Sequence, residues 1–133
     1  MKRYFTHQQA EQLLPFLKQV MARLVTMRLE LERLVGEHRG DRVLDLPEKL
    51  QGPAANLIER IHMELHAVEE TGIMVKGLEA GLIDFWARRA GREILLCWQL
   101  GEEGVGHWHE VDSDFSGRQP LIPGEGFPER ELN

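Results

Sequence analysis

The sequence predicts an α+β fold: a long antiparallel helical hairpin, a small antiparallel β-sheet of about four strands, and an extended C-terminal tail. Three observations predict it. Apolar residues recur at heptad spacing from Leu13 to Leu34. After Gly72 the apolar period changes from about 3.6 residues to 2. Beyond Ser116 there are three Pro and three Gly and little to bury. The chain of 133 residues divides on these grounds into a hairpin over 6–72, a β-meander over 73–115 and a tail over 116–133, all within one domain.

Thr6 and Gln9 form a capping box, so a helix starts there. Leu13, Leu17, Val20, Leu24, Met27, Leu31 and Leu34 follow at alternating spacings of 4 and 3, a coiled-coil seam. Leu14, Met21 and Val35 widen the stripe beyond what one partner helix covers. Pro15 lies inside this helix and predicts a kink over residues 11–15. Gly36 to Gly40, with His38 and Arg39, supply the stop. Residues 40–53 read as a connection in which Pro47 starts a short turn through Leu50. Pro53 suits the first position of a second helix, with Leu57, Ile58, Ile61, Leu65 and Val68 on one face and Gly72 as its end. The short strands expected next are 73–78, 82–86, 93–100 and 105–111.

Composition excludes several function classes. At 42% hydrophobic and 29% charged residues, the chain has the balance of a globular domain. No apolar run is long enough to cross a bilayer. One cysteine allows no internal disulfide, and the polar start MKRYFTHQQ does not look like a signal peptide, so a cytoplasmic location is expected. A net charge of -6 disfavours nucleic acid, and Arg23, Arg28 and Arg33 spread around the first helix instead of lining one edge. The total hides an asymmetry: residues 1–42 carry eight basic and five acidic residues, and the remainder eight and seventeen. Complementary surfaces can therefore attract, within one chain or between two.

The candidate metal ligands are His107, His109 and Cys97. An H-x-H pair on a strand points both rings to one face, where they can converge on an ion. The strand register decides the rest. Pairing Leu100 with Val105 sets Trp98 opposite His107 and turns Cys97 away; a one-residue shift sets Cys97 opposite His109, with Asp84 or Glu102 nearby. Asp84, between Ile83 and Phe85, needs a partner if it is buried, and Arg88, Arg89, Arg92 and Arg118 are available. His62 and His66 share a face of the second helix at its solvated edge; the spacing of Glu64 differs from that of a zinc-protease helix. Serine-nucleophile and phosphate-loop motifs are absent, so no catalytic residue and no cofactor is assigned.

Arg3-Tyr4-Phe5-Thr6, Leu13-Leu14-Pro15, Gly81-Leu82-Ile83-Asp84-Phe85, Leu96-Cys97-Trp98, Leu100-Gly101-Glu102, Trp108-His109-Glu110 and Gly117-Arg118-Gln119-Pro120-Leu121 carry a resemblance. Together they are similar to a family of small bacterial proteins catalogued as domain of unknown function 2203. The sequence departs from that family's pattern at Trp86, where a proline is usual, and at His107. The resemblance implies a cytosolic bacterial protein and points to no particular activity, substrate or cofactor. It also groups Asp84, Glu102, His109, Arg118 and Gln119 as candidate ligand-binding residues. Two functions follow as expectations: an interaction protein that self-associates, as a homodimer or otherwise, through its first helix, or a small ligand-binding protein or metal-assisted hydrolase using the polar cluster on the sheet.

Overall fold

The computed structural model describes residues 2–122. Its elements are α1 (His7–Val35), α2 (Glu48–Glu69), β1 (Met74–Gly77), β2 (Leu82–Arg89), β3 (Arg92–Gln99), β4 (His107–Glu110) and β5 (Gln119–Pro120), with short 3₁₀ turns at Gly36–His38, Val43–Asp45 and Phe115–Gly117. The expected tail enters the fold as far as residue 122, and residues 123–133 lie outside the described residues.

Helix α1 begins and ends where its signals stand. The Gln9 amide donates to Thr6 Oγ1 at 3.1 Å and the Thr6 amide donates to Gln9 Oε1 at 2.9 Å, so two orphan N–H groups are satisfied reciprocally. Gly36, with φ +51°, terminates it. Pro15 sits inside the continuous helix with its ring on the exposed side.

Helix α2 starts five residues earlier than Pro53, at Glu48 after Pro47. Pro47 supplies the entry, and Pro53 falls one turn later, where its missing N–H affects only the exposed first turn. Gln51 holds the incoming chain by donating to the carbonyls of Leu44 and Leu46 at 3.2 and 2.9 Å, which keeps Leu46 buried.

The sheet has five antiparallel strands in the order β1-β2-β3-β4-β5, one more than the sequence suggested. Strand β5 comes from the expected tail: His107 faces Pro120, Trp108 faces Gln119, and Leu121 N donates to Gly106 O at 2.8 Å. Two residues of strand carry too short an alternation to register as a pattern. On the opposite edge, Phe5 N donates to Trp86 O at 2.7 Å, so the segment before α1 lies beside β2.

The hairpin packs on one face of this sheet. Ile83, Phe85 and Ala87 of β2, Ile94, Leu96 and Trp98 of β3, and Trp108 of β4 form one core with Ala10, Leu14, Leu17, Val20, Met21, Leu24 and Met27 of α1 and Leu57, Ile61 and Val68 of α2. Phe5 meets Phe85 edge-on with ring centroids 5.4 Å apart. The heptad seam is thereby covered within one chain: Leu17, Val20, Leu24 and Met27 are buried and Leu13, Leu31 and Leu34 partly so. The two faces of α1's wide stripe meet α2 and the sheet, which is why it is wider than a two-helix seam.

Two substitutions test this packing in urea denaturation. Leu24→Ala, fully buried at the centre of α1, should cost about 2–5 kcal/mol. Gly81→Ala should also destabilise, by about 2 kcal/mol: Gly81 has φ +68°, and an added Cβ would stand 2.7 Å from Leu100 Cβ.

Candidate functional site

Alternation along the strands sends Asp84, Cys97, His107 and His109 to the face away from the helices. Leu95 and Cys97 are buried there, outside the helix-facing core. Cross-strand pairing aligns them: Asp84 stands opposite Cys97, Cys97 opposite His107, and Leu95 opposite His109. Neither register weighed from the sequence is the one adopted. The observed pairing lies one residue to the other side of the first and two residues from the second, so Cys97 shares a face with both histidines and lies diagonal to His109. Trp98, which the first of those registers set opposite His107, is on the other face.

Asp84 and His109 are each 3% exposed. His109 Nε2 lies 3.0 Å from Asp84 Oδ2, and its Nδ1 lies 2.8 Å from the backbone carbonyl of Glu110. A carbonyl only accepts, so Nδ1 carries a proton and donates to it. The remaining contact shares a proton between the imidazole and the carboxylate. The expected Asp84–arginine pair does not form. Arg92 pairs with Glu110 at 3.0 Å, Arg118 with Glu102, and Arg88 stacks 4.2 Å over Tyr4, so the register brings a histidine to Asp84 instead.

Cys97 is 1% exposed and completes the group. The donor atoms of Asp84, Cys97 and His109 all lie within 4.8 Å of one another. Burial pushes the Cys97 thiol up to about 12, and the charge and hydrogen bond of the Asp84 carboxylate push the same way, against the opposing charge of Arg118.

Glu102 organises the flank. Its Oε1 accepts the Gln99 amide at 2.8 Å, and Arg118 Nη2 donates to Oε1 and Oε2 at 2.9 and 2.8 Å. Trp98 Nε1 donates to the Glu102 carbonyl at 3.1 Å. His107, half-buried, has its Nδ1 3.6 Å from Glu102 Oε2, and that nitrogen is buried without a hydrogen-bond partner. Arg118 is held over the Phe115 ring at 4.6 Å. Gln119 is exposed on β5 opposite Trp108 and does not join the group. His62 and His66 are exposed on α2, with His66 3.0 Å from Glu70.

Three residues of α1 that the sequence reading passed over hold the turn between β3 and β4. Glu11 Oε1 accepts the Val105 amide at 2.8 Å, His7 Nε2 lies 2.7 Å from the Val105 carbonyl, and Lys18 Nζ donates to the Glu103 carbonyl at 2.8 Å. Their partners are backbone groups 85–98 residues away, so no local pattern could reveal them.

Fold and site define an α+β protein with a helical hairpin on one face of a meander sheet and a buried Asp–His–Cys group on the other. The family model described as Uncharacterized conserved protein (DUF2203) matches residues 3–121, and the chain belongs to that family. No curated protein and no solved structure matches the chain.

Two measurements probe the group. Asp84→Ala removes one partner of a buried pair and should cost about 3–5 kcal/mol in denaturant titration. For Cys97, the thiol is neutral in folded and unfolded chains below its ordinary value of 9.0, and above it only the unfolded chain readily loses the proton. Its contribution to stability is therefore lost as pH rises from about 9 towards 12, so the stability gap between wild type and Cys97→Ala should shrink across that window.

Proposed function

We propose that the protein is a small ligand-binding protein whose working surface is the helix-free face of the sheet. One observation carries this. Among the described residues the buried polar side chains are Thr6, Asp84 and His109. Thr6 caps α1, whereas Asp84 and His109 serve no cap or turn and stand with Cys97 at one place. A buried ionisable pair is a poor way to gain stability, since a well-packed apolar pair of similar volume does as well or better. Convergent buried polar side chains of this kind are the usual mark of a binding or reaction site.

Self-association through the first helix draws less support from the packing, because the seam that suggested it is covered by α2 and the sheet. A second copy would have to use what α1 leaves outside, chiefly Phe16 and Leu29, which are 44% and 48% exposed. The grooves on the hairpin are rival binding surfaces: one of about 600 Å³ between Arg33 and Arg60, another of about 520 Å³ beside His62 and Met63.

The test is a panel of named probes, comprising phosphate, acetate, succinate and the divalent cations of magnesium, calcium, manganese, cobalt and zinc. Binding is read by thermal shift and by amide resonances of the ¹⁵N-labelled protein. At least one probe should raise Tm and perturb the amides of residues 84, 97 and 109. Responses confined to the hairpin grooves, or no response from any probe, would overturn the proposal.

A further inference from the structure

Resting on the reading that the helix-free face is the working surface, we infer that its ligand is a divalent cation of the zinc class, held by Asp84, Cys97 and His109. The donor set is a carboxylate oxygen, a thiol sulfur and an imidazole nitrogen, a mixture suited to zinc or cobalt and poorly suited to magnesium or calcium, which take oxygen ligands.

The geometry is close to what coordination needs. In a tetrahedral site with bonds of about 2.0–2.3 Å, neighbouring donor atoms stand roughly 3.3–3.6 Å apart. The Asp84 and His109 donors are already at 3.0 Å, and all three lie within 4.8 Å, so rotation of the Cys97 side chain and a small spreading of the pair suffice. All three are on sheet strands, Asp84 and Cys97 paired on both sides and His109 on its β3 side, which fixes the backbone.

The imidazole is oriented for the task. Its Nδ1 is committed to the Glu110 carbonyl at 2.8 Å, which fixes the ring and leaves Nε2 facing the other two donors. This outer contact is the arrangement that supports metal-bound histidines. His107, directly opposite Cys97, stands outside this group: its buried Nδ1 faces Glu102 Oε2 at 3.6 Å, so the three donors are those of Asp84, Cys97 and His109.

The charge balance also closes. A dication with one carboxylate, one thiolate and one neutral imidazole is neutral overall, which a dry site favours. Binding breaks the proton-sharing contact between Asp84 and His109 and the S–H bond of Cys97. Both protons pass to buffer and three metal–donor bonds replace them, with no change of oxidation state. About two protons should be released per ion near pH 7.

The experiment uses the full chain without a histidine tag. Cobalt(II) or zinc(II) is added to the native protein and, separately, supplied during refolding, because the site is buried. Expected are one ion per chain by elemental analysis, a sulfur-to-cobalt charge-transfer band in the near ultraviolet, and about two protons released, measured calorimetrically in buffers of different ionisation enthalpy. Cys97→Ser should abolish the charge-transfer band, and His109→Gln should weaken binding by more than the roughly 10–100-fold typical of an outer-shell change. Circular dichroism establishes that each variant is folded. His62→Gln, on the exposed face of α2, should bind as wild type.

Failure of cobalt and zinc to bind by either route, or binding unaffected by both Cys97→Ser and His109→Gln, overturns the inference. If phosphate, acetate or succinate perturbs residues 84, 97 and 109 while neither metal binds, the cation is excluded and the ligand-binding reading stands. If cobalt or zinc binds and its binding is lost in His62→Gln, both fail together.

Discussion

The carboxylate of Glu102 is the contact on which the arrangement of the sheet depends. It takes the Gln99 amide and both lone-pair positions toward Arg118, while its own carbonyl takes the Trp98 indole. Those groups come from the end of β3 and from the segment that leads into β5, while Glu102 itself lies in the turn. One side chain therefore closes the turn after β3 and anchors the return of the chain. Charge-assisted bonds of this kind are about twice as strong as neutral ones. The turn in turn sets the pairing of Cys97 with His107. A slip of one residue would send His109 into the helix-facing core and Trp108 onto the polar side.

From the other direction, α1 supports the same turn through Glu11, His7 and Lys18. The charge asymmetry of the chain finds a use here and nearby. Basic groups early in the sequence meet acidic groups later in it: Arg23 meets Glu64 at 2.9 Å, Arg28 reaches Glu79 at 3.3 Å and Lys2 meets Glu93 at 3.0 Å. Each is exposed on at least one side and contributes little alone. Together they show complementary charge satisfied within one chain, an alternative that the composition left open.

Much of the fold was legible because its signals are local. The capping box at Thr6, the stop at Gly36 and the change of period after Gly72 each occupy a few neighbouring residues. The start of α2 was misplaced because Pro47 and Pro53 both suit a first helical position, and only the tertiary burial of Leu46 distinguishes them. Strand β5 escaped because its two residues are too few to show an alternation. At the site, the residue types were readable and their grouping was not. Asp84 was recognised as needing a partner, yet its partner lies 25 residues away and is chosen by register. The Glu110 carbonyl, which fixes the His109 ring, belongs to the backbone and leaves no mark in the sequence.

The hydrogen bond from Phe5 to Trp86 carries a consequence for how the molecule is made. Residues 3–5 sit beside β2, with the Arg3 guanidinium on the Thr71 carbonyl at 2.9 Å and Phe5 against Phe85. During synthesis these residues leave the ribosome long before the strand that receives them. Helix α1 can form and find α2 by local contacts, but its leading segment has no seat until β2 has emerged and turned back. Long-range closure of this type is slow relative to helix formation. Until β2 is in place the Phe5 ring lacks the Phe85 ring that it meets edge-on in the folded chain, so the first turn of the fold is completed from its middle.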